Sequence, residues 1–507
     1  MILPFILIIL LVGAVISAFS VKIHKSIPLY VTIATLLTAI IALLTSWNLS
    51  NYPASFHNDG GWMFEYSCNW IPRLGTSIHL SIDGLSYIMI LLTLVMGVVS
   101  TLASTNIERK GFYFFNTLLL ITGVVGIFMA EDLFLFFFFW EMMLCPLYFL
   151  IATCSKENTE RAAFKFLIYT QASGLLMFLS ILGLYFIHGA QTGIYSFDFN
   201  DLVNTALSTK TAVLLMFGFV AAFFVKLPVF PVHGWLPSTF KSSPATAILT
   251  GLLIKTGAYG IIRFAIPLFP DASLLFSFAA MTLGVITVLY AAFIAFSQND
   301  LRMIAAYSGI SHMGFIIIGL YAFNQMAWQG VAIQMIASAV STSALVLLAE
   351  SLYKRTGTYD ISKMGGLWSQ APVLSGLGLF FAMASLGLPG VANFIAEFLI
   401  LAGTFKVSIF ITVLASLGIV GAAAYSLRIV QKVFVGNKNG EYQMSDFGWL
   451  EKTTFGILVV LLVWVGINPK PVMDRVKPAI EKALTIPVKD APPAEKGNPT
   501  SVSVKLN

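Results

Sequence analysis

The feature that most constrains this chain is a succession of apolar segments, each long enough to cross a lipid bilayer. A membrane-spanning helix needs about 20 predominantly apolar residues, and about fourteen segments meet that length. The sequence therefore predicts an all-α, polytopic membrane protein with no room for a soluble catalytic domain. The predicted spans are 2–20, 27–47, 82–104, 113–129, 133–154, 165–187, 211–230, 245–265, 273–296, 303–323, 330–350, 373–405, 408–434 and 453–469.

The composition supports this prediction. Of the 507 residues, 58% are hydrophobic and 10% are charged, whereas a soluble domain carries roughly 25% charged residues. We therefore expect one continuous membrane domain over residues 1–470, in contact with the lipid bilayer. Residues 471–507 are polar, which predicts a disordered tail. The first span lacks a basic start, so we expect a retained helix and not a cleaved signal peptide.

The basic residues predict the orientation of the chain. The net charge of +6 would be compatible with nucleic-acid binding in a soluble protein. Here the lysines and arginines lie in alternate short loops, which is the pattern of cytoplasmic loops in membrane proteins, so no nucleic-acid partner is expected. With an even number of helices, both termini are predicted to lie outside. The long loop 48–80 is predicted to lie there too, as an interfacial loop rich in glycine and aromatic residues.

The cysteines predict that this chain carries no redox centre. Only Cys68, Cys145 and Cys154 are present, without a Cys-x-x-Cys pair. Iron–sulfur clusters need grouped cysteine ligands. We therefore expect no cofactor and no metal on this chain.

Two of the predicted spans are interrupted by proline and glycine. They contain FFVKLPVFPVHGWLP, with Pro228 and Pro231, and ASLGLPGVANFIAEF, with Pro389. Proline removes a helical hydrogen bond, and freed backbone groups are tolerated in lipid only where protein or water satisfies them. One broken helix in each half of the chain indicates an inverted-repeat transporter. The alternative is a pair of ordinary proline kinks.

Several ionisable side chains lie inside apolar spans. A charge at the bilayer centre costs at least about 2.5–3.5 kcal/mol on insertion scales, so each must face a partner or water. These residues predict a row of proton-transfer groups, and the alternative is a set of buried ion pairs that only fix helix packing. The charged ones are Glu141, in FLFFFFWEMMLCPLYFL, together with Lys226, Lys255 and Glu397, and a further span holds His312.

Lysine at positions 226 and 255 favours proton transfer, because a buried lysine exchanges its proton readily whereas arginine stays charged. Histidine titrates near physiological pH, which adds His312 to the row. Lys226 lies beside the first helix break. We therefore expect Glu141 to face Lys226 across a hydrated interior and to control the proton affinity of that lysine.

Taken together, several motifs resemble the antiporter-like membrane subunits of respiratory complex I, and in particular their bacterial M type. The likeness extends to about residue 470 and is shared with Mrp-type antiporter and membrane hydrogenase subunits. It implies two inverted five-helix repeats, near 113–265 and 273–434, and broken seventh and twelfth helices. The motifs are FWEMMLCPLYFLI, FLIYTQASGLLMFL, VKLPVFPVHGWLP, LIKTGAYGIIRF, AYSGISHMGF, KMGGLW and LPGVANFIAEF.

The resemblance also implies roles for the buried residues. Glu141 would set the charge of Lys226. Lys255 and His312 would pass a proton along the middle of the membrane. Glu397 would govern the exit, and it matches an acidic residue of M-type subunits where related subunits carry lysine.

The resemblance further implies a multi-subunit enzyme. The chain would be a proton-translocating subunit of NADH:quinone oxidoreductase in the bacterial inner membrane. Its partners would be the other membrane and peripheral subunits of complex I, which would hold FMN, iron–sulfur clusters and quinone. An Mrp-type or hydrogenase subunit and a non-pumping scaffold are the alternatives.

Two departures from the family pattern qualify the resemblance, and a third feature, Asp83, has two interpretations. The segment after Pro237, STFKSSPATAIL, is shorter than usual and lacks the usual histidine. Ser338 replaces a histidine that many M-type subunits carry, and both changes predict fewer titrating groups on the path. Asp83 matches a common family segment but lies at a predicted helix start, where a carboxylate also serves as a cap.

Overall fold

Long apolar helices make up most of the structure, a computed structural model that describes residues 2–49, 62–105, 107, 109–153, 159–241, 244–435 and 445–485. Within these residues, 13 helices are long and apolar enough to cross a membrane. Two shorter apolar helices, Pro372–Leu386 and Ala392–Phe405, divide one further predicted span between them. The prediction of a polytopic helical protein with about fourteen crossings is confirmed.

Within the described residues, twenty α-helices follow one another. The first ten are α1 Ile2–Ser20, α2 Ile27–Leu49, α3 Gly84–Ala103, α4 Lys110–Met129, α5 Leu133–Met142, α6 Leu144–Thr153, α7 Glu160–Thr192, α8 Phe199–Leu202, α9 Thr209–Lys226 and α10 Trp235–Thr239. The second ten are α11 Pro244–Gly260, α12 Ile266–Leu268, α13 Pro270–Ser297, α14 Leu301–Tyr321, α15 Gln325–Thr356, α16 Pro372–Leu386, α17 Ala392–Phe405, α18 Ile409–Ile429, α19 Trp449–Ile467 and α20 Lys470–Thr485.

The long loop before α3, predicted at about 48–80, contains a β-hairpin that the sequence did not predict. Strands β1 Phe64–Ile71 and β2 Thr76–Ile82 pair antiparallel, with Phe64 opposite Ile82. The turn between them closes at Gly75, whose φ of 65° suits a residue without a β-carbon. We call the side of the protein that carries these two strands the hairpin face, and the other side the opposite face.

His79 joins the hairpin to neighbouring segments. Its Nε2 lies 2.7 Å from a carboxylate oxygen of Glu65 on β1, and its Nδ1 is hydrogen-bonded to Asp198 before α8. Burial lowers the pKa of His79. The Asp198 and Glu65 carboxylates outweigh this effect and raise the pKa to about 9. The ring is therefore cationic at neutral pH, and it joins two acidic segments on the hairpin face.

Helix α20 corrects the prediction of a disordered tail that starts at residue 471. Val472, Val476, Ile480 and Ala483 are buried, and their spacing places them on one side of a helix. This side packs against α3 and α15. The remaining tail residues, 486–507, lie outside the described part of the chain.

Gly84 allows α20 to approach the start of α3. A β-carbon on Gly84 would lie 1.8 Å from the carbonyl oxygen of Arg475. Because side-chain atoms do not approach backbone oxygen so closely, we expect Gly84→Ala to displace α20. A cysteine at Val476, which is fully buried, should then react faster with a thiol reagent in the purified protein with Cys68 replaced. Gly376→Ala is the control, because a β-carbon there meets nothing within 4 Å. Equal labelling of both variants would contradict this packing.

Both predicted helix breaks are present. Helix α9 ends at Lys226 and is followed by turns before α10, and the indole Nε1 of Trp235 donates to the carbonyl of Val225 at 2.7 Å. Protein atoms therefore satisfy backbone that the break releases. In the second half, α16 and α17 are separated at Gly387 and Gly390, which have φ values of 84° and 101°.

Matching features recur in the two halves, as inverted repeats require. Helix α11 continues into a π-helix, Ile261–Ala265, and α18 into a second one, Val430–Val435. The first π-helix contains Arg263, and Arg428 lies just before the second. An isolated bridge pairs Asp132 with Asp198 in the first half, and another pairs Asp300 with Asp360 in the second.

Candidate functional site

Glu141 lies at the end of α5, where the predicted fifth span is interrupted. Met143 separates α5 from α6, and Pro146 follows within the first turn of α6. The sequence analysis did not predict this third interruption. The Glu141 side chain is partly exposed. Its Oε1 has no hydrogen-bond partner among the described residues. Gln171 interacts with the same carboxylate. A β-carbon on Gly174 would lie 2.7 Å from Oε1, so this glycine provides the space for the carboxylate.

Lys226 is fully buried at the end of α9. Its ammonium lies 5.0 Å from the ring centroid of Trp140 and 5.7 Å from that of Phe166. Cation–π attraction stabilises a desolvated ammonium in such a position. Its Nζ has no hydrogen-bond partner within the described part of the chain.

Glu141 and Lys226 lie close enough for their charges to interact, but a hydrated interior between them stays a prediction. Each charge acts on the other, yet no ion pair within 4.0 Å joins them among the described residues. Trp140, the neighbour of Glu141 in sequence, lies against the ammonium. The two charges therefore interact through a low-dielectric region, where Coulomb interactions are stronger than in water.

Lys255 lies on α11 and is also buried. Its Nζ donates to Ser338 Oγ at 2.7 Å and lies 3.6 Å from Met313 Sδ. Nearby, a β-carbon on Gly257 would lie 3.2 Å from the β-carbon of Lys226. Helix α11 thus packs against the side chain of Lys226 at Gly257, two residues after Lys255.

His312 and Glu397 form a direct pair between α14 and α17. His312 Nδ1 lies 3.0 Å from Glu397 Oε1, and both side chains are buried. On the other side of the ring, Asn393 Nδ2 lies 3.5 Å from His312 Nε2 and donates to Ser341 Oγ at 3.2 Å. The imidazole is therefore held between a carboxylate and an amide.

Helix α15 brings these two groups of contacts together. Ser338 binds Lys255 and Ser341 binds Asn393. Residues three apart on a helix lie on the same side, so the two serines are adjacent. The arrangement places three titratable side chains, Lys255, His312 and Glu397, along one polar row inside the protein. Such a row can pass a proton by short transfers between groups that donate and accept.

The structure adds a role for Ser338. Its hydroxyl is the direct partner of the Lys255 ammonium. The expectation that this serine leaves one titrating group fewer on the path stays a prediction. Sequence reasoning missed Asn393 and Ser341, although Asn393 lies within the quoted GVANFIAEF motif and Ser341 follows Ser338 by one helical turn.

Two further predicted features have different outcomes. Asp83 caps α3, since its Oδ1 accepts from the backbone N–H of Ser86 at 2.8 Å, and its Oδ2 lies 3.2 Å from Arg263 Nη1. The segment after Pro237 contains α10, and residues 242–243 lie outside the described part of the chain. Its effect on the path stays a prediction.

The row of buried groups on broken helices is typical of ion-translocating membrane subunits. A family model described as "NADH:quinone oxidoreductase/Mrp antiporter, TM" matches residues 130–421. The chain is 45% identical to NADH-quinone oxidoreductase subunit M of Pseudomonas aeruginosa, with 94% of this chain and 96% of the relative covered. It is 43% identical to subunit M of Escherichia coli K12, with 95% and 97% covered.

Solved structures agree. A chain of respiratory complex I from Thermus thermophilus with bound NADH superimposes with a TM-score of 0.86 at 27% identity, covering 96% of this chain and 99% of that one. The Mrp complex from Dietzia sp. shares the fold alone, with a TM-score of 0.80 at 22% identity and coverage of 98% and 53%.

These similarities identify the class before the individual type. The chain belongs to the NADH:quinone oxidoreductase/Mrp antiporter family of membrane subunits. Within that family, the relatives at 43–45% identity are M subunits, which confirms the expected M type and its place in a multi-subunit membrane complex.

Proposed function

We propose that this chain is the proton-translocating M subunit of a NADH:quinone oxidoreductase. Quinone reduction elsewhere in the complex would drive protons through it. The observation that carries the proposal is the polar row in which Lys255 binds Ser338 and His312 binds Glu397. The proposed proton-transfer groups are Glu141, Lys226, Lys255, His312 and Glu397.

In this proposal the charge state of Glu141 controls Lys226. An ionised Glu141 stabilises the protonated form of the lysine, and neutralisation of the carboxylate releases that proton. Because the stem of Lys226 packs against α11 at Gly257, the released proton would move toward α11 and Lys255. His312 then accepts it, and Glu397, paired with His312 at 3.0 Å, completes the transfer.

The remaining parts of the proposal concern partners and orientation. FMN, iron–sulfur clusters and quinone would be held by partner subunits, and this chain would supply no redox site. The loops with most basic residues lie on the opposite face, so the positive-inside rule favours a cytoplasmic opposite face. Both termini and the hairpin face would then lie outside the bacterial cell membrane.

Lys255→Met tests the proposal. Methionine keeps an unbranched stem but neither donates nor accepts a proton. In assembled complex reconstituted into vesicles, we expect NADH oxidation to proceed while proton transfer through this chain slows by at least about 100-fold. The measurement is the number of protons pumped per NADH oxidised.

Three outcomes would contradict the proposed function. Unchanged pumping would remove Lys255 from the path. Failure of assembly with unchanged pumping per assembled complex would favour a scaffold. Purification in mild detergent without partners that show flavin and iron–sulfur absorbance would favour a stand-alone antiporter.

A further inference from the structure

A second set of polar groups leads from Lys255 toward the hairpin face. Lys255, Tyr259 and Arg263 follow at intervals of four residues on α11 and the π-helix that continues it. Residues four apart lie one above the other on a helix, so these three form a line. Lys255 and Tyr259 are buried, and the Arg263 side chain is only 11% exposed. The proton path proposed above uses Lys255 alone.

Helix α15 provides a matching position opposite Tyr259. It starts on the hairpin face, where Gln325 bonds Glu481 of α20 at 2.9 Å, so it runs antiparallel to α11. Ser338 contacts Lys255. Gln334 lies one turn closer to the hairpin face on the same side of α15, and Tyr259 lies one turn closer on α11. The two side chains therefore lie at one level between the helices.

The carboxamide of Gln334 is fully buried, and neither Oε1 nor Nε2 has a hydrogen-bond partner among the described residues. A carboxamide offers two donors and one acceptor oxygen. Buried polar groups are almost always satisfied, by protein or by ordered water. We infer that Gln334 binds water between α15 and α11, at the level of Tyr259.

Tyr259 continues the connection. Its hydroxyl donates to the carbonyl of Phe128 at 3.2 Å and lies 2.9 Å from Ser86 Oγ. Because the Tyr259 hydroxyl donates its proton to the Phe128 carbonyl, Ser86 is the donor in the contact between Ser86 and Tyr259. Each hydroxyl can accept one proton and release another. Ser86 in turn follows Asp83, whose carboxylate accepts its backbone N–H.

The connection ends at a small cavity of about 20 Å³, which is sufficient for one water molecule. Asp83, Arg263 and Lys482 are among the residues that line it. The Arg263 guanidinium is bound to Asp83 at 3.2 Å and to Glu131 at 2.6 Å. Lys482, on α20, is half-exposed, so this end of the row reaches the hairpin face.

The second half of the chain contains a similar arrangement, which is an independent observation. Tyr425 lies in the last turns of α18 before the other π-helix, and Tyr259 lies in the last turn of α11 before the first. The Tyr425 hydroxyl donates to Ser308 Oγ at 3.0 Å, and Ser308 lies 2.7 Å from Ser385 Oγ. Each half thus has a buried tyrosine bonded to a serine of another helix, although Ser86 lies on α3, before the first repeat, and Ser308 lies on α14, within the second.

We propose that Gln334, Tyr259 and Ser86 form a second proton connection, which links Lys255 to the hairpin face. This inference rests on the proposed proton translocation. The proton moves from Lys255 to water at Gln334 and from that water to the Tyr259 oxygen. The Tyr259 hydroxyl then turns from the Phe128 carbonyl and gives its own proton to Ser86, which turns in the same way and releases its own proton toward Asp83. Asp83 accepts the proton and exchanges it with solvent through the cavity. Arg263 keeps its charge throughout.

Tyr259→Phe and Gln334→Met test this connection, because each removes the polar atoms and keeps most of the side-chain volume. Tyr321→Phe is the matched control, since Tyr321 is fully buried and its hydroxyl has no partner within the described residues. In reconstituted complex, both test variants should pump fewer protons per NADH than the control. The double variant should lose no more proton pumping than the more impaired single variant, because the two groups act in series. Ser86→Ala provides a further variant if either fails to assemble.

The outcomes separate this inference from the proposed function. If Lys255→Met loses pumping while Tyr259→Phe and Gln334→Met pump like Tyr321→Phe, the second connection is wrong and the proposed function stands. If Lys255→Met pumps normally, both fail. Additive losses in the double variant would mean that Gln334 and Tyr259 do not belong to one path.

Discussion

Replacing Lys226 with methionine is expected to stop proton transfer through this chain while the complex still assembles. The lysine has no hydrogen-bond partner among the described residues and lies against Trp140 and Phe166. Methionine also packs well against aromatic rings, so the surrounding helices should keep their positions. Removing a proton-transfer group slows the transfer by about 100-fold or more. Proton pumping per NADH, measured with a pH-sensitive dye in vesicles, should fall accordingly.

Two further variants show which property of Lys226 matters. Lys226→Arg keeps a positive charge that does not titrate, so it should lose pumping as well. Normal pumping by Lys226→Arg would mean that only a fixed charge is needed and would contradict the relay role. Lys210→Met is the matched control, because Lys210 lies on the same helix and is exposed. It should pump like the unmodified protein.

Replacing Glu397 with glutamine is expected to have a comparably large effect. Glutamine keeps the shape of the side chain and can still hydrogen-bond to His312, which lies 3.0 Å away. It has no proton to accept or release. We therefore expect normal assembly, and a proton-transfer rate lower by about 100-fold or more. Glu397→Asp keeps the carboxylate but withdraws it from His312. Its proton-transfer rate should lie between those of the unmodified protein and Glu397→Gln.

A double variant distinguishes a relay from a structural pair. If His312 and Glu397 act in one transfer, His312→Gln combined with Glu397→Gln should pump no worse than the more impaired single variant. If the pair only holds α14 against α17, the variants should reduce assembly and leave pumping per assembled complex unchanged. Wild-type pumping by Glu397→Gln would remove this carboxylate from the path.

The membrane spans could be predicted because lipid permits few alternatives. Backbone groups in a bilayer must be satisfied within the segment, so apolar length alone located each crossing, including the pair α16 and α17 in the span predicted at 373–405. The buried charges were equally visible, because a charge among apolar residues needs a partner. The hydrophobic pattern could not show which groups those partners were.

The regions outside the bilayer were harder to predict. In water the backbone has many more options, and the hairpin strands are short and mostly exposed on β1. Helix α20 was missed because residues 471–507 are polar as a whole, which suggested a disordered tail. The spacing of its four buried apolar residues was the available signal. In both cases packing against other helices decides the structure.

The contacts within the candidate site also depend on three-dimensional packing. Ser338 lies 83 residues from Lys255 in the chain, and Glu397 lies 85 residues from His312. No local pattern connects such pairs. The sequence identified which residues could carry protons, and only the packing of α15 against its neighbours showed how Lys255 and His312 are linked.

The complete enclosure of α11 has a consequence for how the protein is made. This span is the least apolar of the 13 candidates, yet in the folded chain it is wholly surrounded by other helices. One of these helices, α15, supplies the partner of Lys255 and starts at Gln325, well after α11 in the chain. During synthesis α11 therefore enters the bilayer before its partner exists. Until α15 is inserted, Ser338 cannot contact Lys255, and a lysine within a bilayer needs another partner or water during that interval.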